Sequence, residues 1–263
     1  MKHFSLVTGA AGLLGEYHSQ ALINLGHNIL MTDIDKELLK TKVKNIKKKN
    51  NKQLILYKKL DVTSEKSLLN LIKYMKKNKF IINILINNAA IDSKVSKKNK
   101  QKNFFENFNL KNWNKEIEVG LTGTMLCSKI IGSEIVKAKV KGIILNIASD
   151  LSIIAPNQNL YKNKKFIYKK PVTYSVIKHG IIGLTKYLAT YWCNNNIRVN
   201  ALSPGSVLNN QPYSFQKKIK KLIPLNRMAN KEEYIGTVMY LCSDASSYMT
   251  GQNIVVDGGR SIW

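Results

Sequence analysis

Thr8-Gly9-Ala10-Ala11-Gly12-Leu13-Leu14-Gly15 continues an apolar run that starts at Phe4, and it opens the helically spaced segment Leu13–Leu25. Glycines between a strand and a helix let the backbone bend tightly and approach a pyrophosphate, whose charge then rests on the helix N-terminus. Outward from this turn, apolar runs alternate with amphipathic segments. Strands are expected at Phe4–Thr8, Ile29–Thr32, Leu54–Tyr57, Ile81–Ile86, Ile143–Ile147, Val199–Leu202 and Ile254–Val256. Helices are expected at Leu13–Leu25, Lys36–Lys49, Ser64–Lys77, from Trp113 towards Lys139, at Val172–Cys193 and at Lys231–Ser243. Ser64 reads as an N-cap, with Leu68, Leu69, Ile72 and Met75 on the inward face of its helix. Strands too apolar to expose either face imply a parallel sheet covered on both sides. Right-handed crossovers then give a doubly wound, Rossmann-like α/β fold of about seven strands. No linker or internal repeat interrupts the pattern, so residues 1–263 are expected to form a single domain.

Composition narrows the class. Of 263 residues 44% are hydrophobic, normal for a globular chain and against extensive disorder. No stretch approaches the ~18 apolar residues of a membrane span. Cys127, Cys193 and Cys242 lie far apart without a CxxC pair, which suggests a reducing compartment. His3, His18, His27 and His179 fit no metal-ligand spacing. The start, from Met1-Lys2 to Leu14, has apolar character, but three glycines punctuate it, Glu16 and His18 follow, and no good cleavage site appears. The expectation is a cytoplasmic protein.

The net charge is +26, which could mark a nucleic-acid or membrane binder. Yet only Arg198, Arg227 and Arg260 are arginine, the residue suited to bidentate phosphate and base recognition. The lysines are scattered through expected helix ends and loops, without interleaved stacking aromatics. They read as solvated surface, with no nucleic acid and no membrane as partner.

Three further features carry chemistry. Asp33 ends the second strand, 18 residues beyond Gly15. A carboxylate there can accept both ribose hydroxyls of NAD and repels the 2′-phosphate of NADP; the plainer alternative is a helix cap by Asp33 or Asp35. Tyr174-Ser175-Val176-Ile177-Lys178 places a phenol and an ammonium one helical turn apart. A nearby cation stabilises phenolate and brings a group that ordinarily titrates near pH 10 into range as an acid/base. Ser149 leaves the fifth strand, whose C-terminal end faces the ligand crevice in a parallel sheet, and it could hydrogen-bond a substrate oxygen.

With these landmarks the chain resembles the compact, single-domain short-chain dehydrogenase/reductases, nearly end to end. Further matches are Asp61-Val62, Asn87-Asn88-Ala89-Ala90, Arg198-Val199-Asn200, Ser203-Pro204-Gly205 and Thr250-Gly251 through Asp257-Gly258-Gly259. The resemblance implies that Tyr174 is the acid/base, that Lys178 assists it and holds the nicotinamide ribose, and that Ser149 orients the carbonyl or alcohol. It further implies that Gly9, Gly12, Leu14 and Gly15 cradle the pyrophosphate, Asp33 the adenosine ribose, and Asp61 and Val62 the adenine. Asn88 and Ala89 would line the cofactor trough, and Pro204, Gly205 and Val207 the nicotinamide end. The family commonly assembles as dimers or tetramers, so a homo-oligomer is expected.

Three departures qualify the match. The Gly9-x-x-Gly12-x-x-Gly15 spacing is more typical of sugar-nucleotide-modifying relatives. Gly120 stands where the family has an asparagine that anchors a relay water, so the relay must use backbone or another residue, or else the protein is a weak or inactive nucleotide-binding scaffold. Ser149 and Tyr174 are 25 residues apart, wider than usual, with a lysine-rich segment around Asn157–Pro171 that could act as a flexible flap gripping a phosphate or carboxylate, or equally be one more solvated lysine loop. These features, with the tail Gly258-Gly259-Arg260-Ser261-Ile262-Trp263, are similar to a bacterial branch that makes sugars for flagellin modification or surface polysaccharide. The expected activity is NAD-dependent interconversion of a secondary alcohol and a ketone on a small molecule, a sugar or sugar phosphate. A 3-oxoacyl-thioester reductase is the enzymatic alternative, disfavoured by Asp33 because such enzymes generally use NADP.

Overall fold

A computed structural model describes residues 1–50, 52–91, 103–162 and 168–263. Lys97, Lys98, Lys100 and Lys102, and Lys164 and Lys165 of the expected flap, lie outside the described residues. Seven strands, β1 (Lys2–Val7), β2 (Asn28–Asp33), β3 (Ile55–Lys59), β4 (Phe80–Asn87), β5 (Gly142–Ile147), β6 (Ile197–Pro204) and β7 (Asn253–Val256), form one sheet. Its order is β3-β2-β1-β4-β5-β6-β7 and every pairing is parallel. The order reverses direction beside β1, so the crevice at the strand C-termini opens between β1 and β4, where such sheets bind ligands.

The helices are α1 (Gly15–Asn24), α2 (Lys36–Lys49), α3 (Glu65–Lys77), α4 (Leu110–Ile117), α5 (Gly123–Ala138), α6 (Val172–Tyr191), α7 (Tyr213–Lys220) and α8 (Ile235–Leu241). Alternate strand residues feed two cores, as a period of two requires. Val7, Ile29, Met31, Ile84, Ile86 and Leu145 pack beneath α1, α2 and α8. Phe4, Leu6, Leu30, Leu85, Ile144 and Val199 pack beneath α3, α5 and α6. All residues of β5 and β6 are buried, including Asn146, Arg198 and Asn200, whose side chains are hydrogen-bonded to Asn87 and Thr185, Leu241 O, and Met249 O respectively.

Helix starts follow local chemistry. Asp35 caps α2 by accepting from Leu38 N, and Ser64 caps α3 by accepting from Ser67 N. The inward face of α3 is Leu68, Leu71, Ile72 and Met75, whereas Leu69 is exposed, contrary to the sequence expectation. Leu71 lies three residues beyond Leu68 and completes the helical stripe, while Leu69 lies about 100° away from it. The long helix expected from Trp113 is divided by one π-helical turn, Glu118–Thr122. The sequence pattern placed no element where α7 forms, and the segment Lys231–Tyr234 enters α8 as a 3-10 turn.

The stretch Leu110–Ala138 is long and apolar enough to cross a membrane by length and composition, a length not anticipated because no uninterrupted apolar run marks it. Here Cys127, Ile130, Ile131 and Ile135 are buried in the core shared with the sheet.

Candidate active site

The glycine turn is held by contacts that explain its composition. Gly9 adopts φ +60°, and a β-carbon there would sit 2.7 Å from Ala89 Cα. A β-carbon on Gly15 would lie 2.3 Å from Gly9 O, so the third glycine seats α1 against the turn. Gly12 is less constrained, since its β-carbon would meet only Gly9 O at 3.1 Å. Asn88 donates through Nδ2 to Gly9 O (2.8 Å) and Thr8 O (3.1 Å), which ties the end of β4 to the turn. Thr8 Oγ1 accepts from the Asn88 and Ala89 amides. Among the described residues no side chain caps the N-terminus of α1, and Gly12, Leu13 and Leu14 face a cleft of about 930 Å³. Exposed amides at a helix start suit the pyrophosphate of a dinucleotide.

Asp33 does not cap α2; Asp35 does. Asp33 instead accepts from Ala11 N through Oδ2 and from Asp35 N through Oδ1, both at 3.0 Å, while still lining the cleft. Each carboxylate oxygen keeps a second acceptor site, which fits a ribose diol. Asp61 Oδ1 accepts from the Thr63 amide and hydroxyl, which fixes the turn after β3. Every residue expected at the site lines this cleft except Gly15: Gly9, Gly12, Leu14, Asp33, Asp61, Val62, Asn88, Ala89, Ser149, Tyr174, Lys178, Pro204, Gly205 and Val207 all face it. Gly15 is buried behind the turn, where it serves packing.

Lys178, only 6% exposed, donates from Nζ to Ile147 O at 2.8 Å and lies 5.8 Å from the centre of the Tyr174 ring. Burying an ammonium is costly unless it is hydrogen-bonded, and the end of β5 supplies that acceptor. Ser149 begins the short 3-10 turn Asp150–Ser152; its Oγ accepts from Leu151 N (3.2 Å) and donates to Asp150 Oδ1 (2.9 Å). Asp150 Oδ2 pairs with Arg260 at 2.6 Å, and both residues are buried. Asp150 and Arg260 also line the cleft and were absent from the sequence-based candidates. The available signal was an acidic residue directly after Ser149 and an arginine after Gly258-Gly259, but 110 residues separate them.

Gly120 lies in the π-helical turn, and its carbonyl accepts from Thr124 Oγ1 at 2.8 Å. A β-carbon on Gly120 would meet Ile177 Cγ2 at 2.8 Å, so Ile177 fills the space beside it. The segment expected as a flexible flap is anchored where it is described. Lys170 N donates to Gln158 Oε1, Asn103 Nδ2 donates to Lys169 O, and the Tyr161 ring packs at a tilt against Tyr168 and Phe215 of α7.

A family model described as "Enoyl-(Acyl carrier protein) reductase" matches residues 9–261. The chain belongs to the short-chain dehydrogenase/reductase family. Its relatives include an NAD-dependent glycerol dehydrogenase of Listeria innocua, 32% identical, with 98% of this chain and 93% of the relative covered. Post-translational flagellin modification protein A of Campylobacter coli is 30% identical, with 96% of each chain covered. A short-chain dehydrogenase from Leptospira borgpetersenii, solved with bound NAD+, superposes with a TM-score of 0.84 at 30% identity, covering 100% of this chain and 94% of that one. The chain is accordingly an oxidoreductase of this family acting on CH–OH groups.

Proposed function

We propose that the protein is an NAD(H)-dependent oxidoreductase interconverting a secondary alcohol and a ketone on a polyhydroxylated small molecule, a sugar or sugar phosphate used in flagellin or surface-glycan modification. The observation that carries this reading is the clustering of Tyr174, Lys178, Ser149 and Asp33 around one cleft beside an uncapped helix start. The sugar assignment is supported by the flagellin-modification relative and the glycerol dehydrogenase.

In this reading Tyr174 takes the hydroxyl proton during oxidation and returns it during reduction. Lys178, fixed on Ile147 O, stabilises the ionised phenol and reaches the nicotinamide ribose. Ser149 orients the reacting oxygen. Gly9, Gly12 and Leu14 bind the pyrophosphate with Gly15 seating the helix behind them; Asp33 takes the adenosine ribose; Asp61 and Val62 flank the adenine; Asn88 and Ala89 line the cofactor trough; Pro204, Gly205 and Val207 line the nicotinamide side. The bound dinucleotide supplies the hydride acceptor or donor. With Gly120 in place, the relay that the family resemblance assigns to an asparagine-held water must use backbone or another residue, while Ile147 O is the acceptor that holds Lys178. Exposed Cys193 is unpaired, which supports the cytoplasmic assignment. The face of α6 carrying exposed, stacked Tyr187 and Tyr191 supports a homo-oligomer.

Titration with NADH and NADPH, followed by turnover on polyols, sugars and sugar phosphates, tests the reading. NADH is expected to bind at least about tenfold tighter, and Asp33→Asn to weaken NADH by about 10–100-fold, the worth of a charge-assisted hydrogen bond. The rival reading, an acyl-thioester reductase, would show NADPH preference and turnover on 3-oxoacyl thioesters instead.

A further inference from the structure

The insertion between Ser149 and Tyr174 delivers a charge to the reacting phenol. Lys170 Nζ lies 3.7 Å from the centre of the Tyr174 ring, over its face, closer than the 5.8 Å of Lys178. The position is built. The Lys170 amide is held by Gln158 Oε1 at 3.0 Å, the preceding carbonyl of Lys169 by Asn103 Nδ2 at 3.1 Å, and Tyr168 is buried. Pro171 then fixes the chain direction into α6, with Tyr174 N bonded to Pro171 O. A lysine four residues before the tyrosine, entering from a proline-terminated loop, therefore covers one ring face while Lys178 approaches from the helix.

A cation over an aromatic face is attracted by the ring quadrupole, and that attraction grows when the ring gains negative charge. We propose that Lys170 is a positioning residue acting through Tyr174, a second cation that favours its phenolate form and so extends the working range of the acid/base towards lower pH. The proposal rests on the reading of Tyr174 as the acid/base. Other charged groups bear on the same phenol: Lys178 from its own helix, Lys115 and Glu118 from α4 and the π-helical turn, and Asp150 with Arg260 behind β5 all line this cleft. Glu116 of α4 accepts from Thr173 Oγ1, beside Tyr174. The carboxylates Glu118 and Asp150 oppose ionisation, and Asp150 is countered by Arg260. Lys170 adds positive charge at the ring itself.

The test is an ultraviolet titration of tyrosinate in the cofactor-free protein, taken as the difference between the protein and its Tyr174→Phe variant, so that one phenol is isolated and no substrate is needed. The same difference is measured in the Lys170→Met, Lys170→Gln and Lys170→Arg backgrounds. Removing the charge is expected to raise the Tyr174 midpoint by about half a pH unit, from the solvent-screened Coulomb attraction that the ammonium gains when the phenol ionises. Lys170→Arg keeps the charge and is expected to leave the midpoint in place. With a substrate in hand, the acidic limb of kcat/KM should move up by the same amount in Lys170→Met. An unchanged midpoint in Lys170→Met and Lys170→Gln overturns the proposal, even if turnover falls, because a purely structural or substrate-gripping lysine would change rate or KM without moving that titration. Failure to find an alcohol or sugar substrate would count against the proposed function and leave this spectroscopic result standing.

Discussion

Ile177 and Gly120 share one space: a β-carbon on Gly120 would lie 2.8 Å from Ile177 Cγ2 and 3.1 Å from Ile177 Cδ1. Ile177, between Tyr174 and Lys178 on α6, thus packs against the π-helical turn, at the position where the family resemblance led to the expectation of an asparagine. Restoring that side chain alone should overpack the site. Gly120→Asn is expected to lose about 1–3 kcal/mol in urea unfolding, and Gly120→Asn with Ile177→Ala to recover most of it. A loss in the double variant equal to the sum of the losses of Gly120→Asn and Ile177→Ala alone would show that the two positions are not coupled.

The buried Asp150–Arg260 pair links the C-terminal segment to the turn that carries Ser149. Arg260→Met leaves a buried carboxylate without its counter-charge and is expected to cost about 3–5 kcal/mol, whereas Asp150→Leu with Arg260→Met should cost far less. Chemical denaturation of both variants, with NADH affinity as a check on the fold, measures this.

His18 is fully buried, neither ring nitrogen has a hydrogen-bond partner among the described residues, and burial lowers its pKa to about 4. The unfolded chain takes up the proton near pH 6.5 and the folded chain only near 4, so the contribution of neutral His18 is present above about 6.5 and is lost as pH falls towards 4. That window is worth about 3 kcal/mol. Urea unfolding of His18→Leu at a series of pH values should show a flatter decline between those limits than the unaltered protein; parallel declines would remove His18 as the cause.

The strand and helix order, the glycine turn and the Tyr174–Lys178 spacing were readable because each rests on local periodicity or on a short motif. Gly15, included with the cofactor residues on its motif position, turns out to serve packing, because a pattern does not distinguish a glycine facing a ligand from one facing a carbonyl. The Asp150–Arg260 pair was invisible because it joins distant segments, and nothing in the spacing of either marks the other. Leu69 was placed inward where Leu71 belongs, since adjacent leucines leave the helical phase ambiguous until the sheet is in place. The π-helical turn packs Gly120 against Ile177, a tertiary contact, and Lys170 sits over the Tyr174 ring beside anchors at Gln158 and Asn103, distant residues that no local pattern connects.

In the proposed mechanism Tyr174 moves the proton in this cleft. Tyr174→Phe, assayed on the best substrate from a panel of polyols and sugars alongside direct NADH titration, tests it most directly. Turnover is expected to fall by about 10²–10⁴-fold, the usual contribution of a general acid/base, while the Kd for NADH stays within about threefold. Turnover close to that of the unaltered protein, with NADH still bound, would contradict the account.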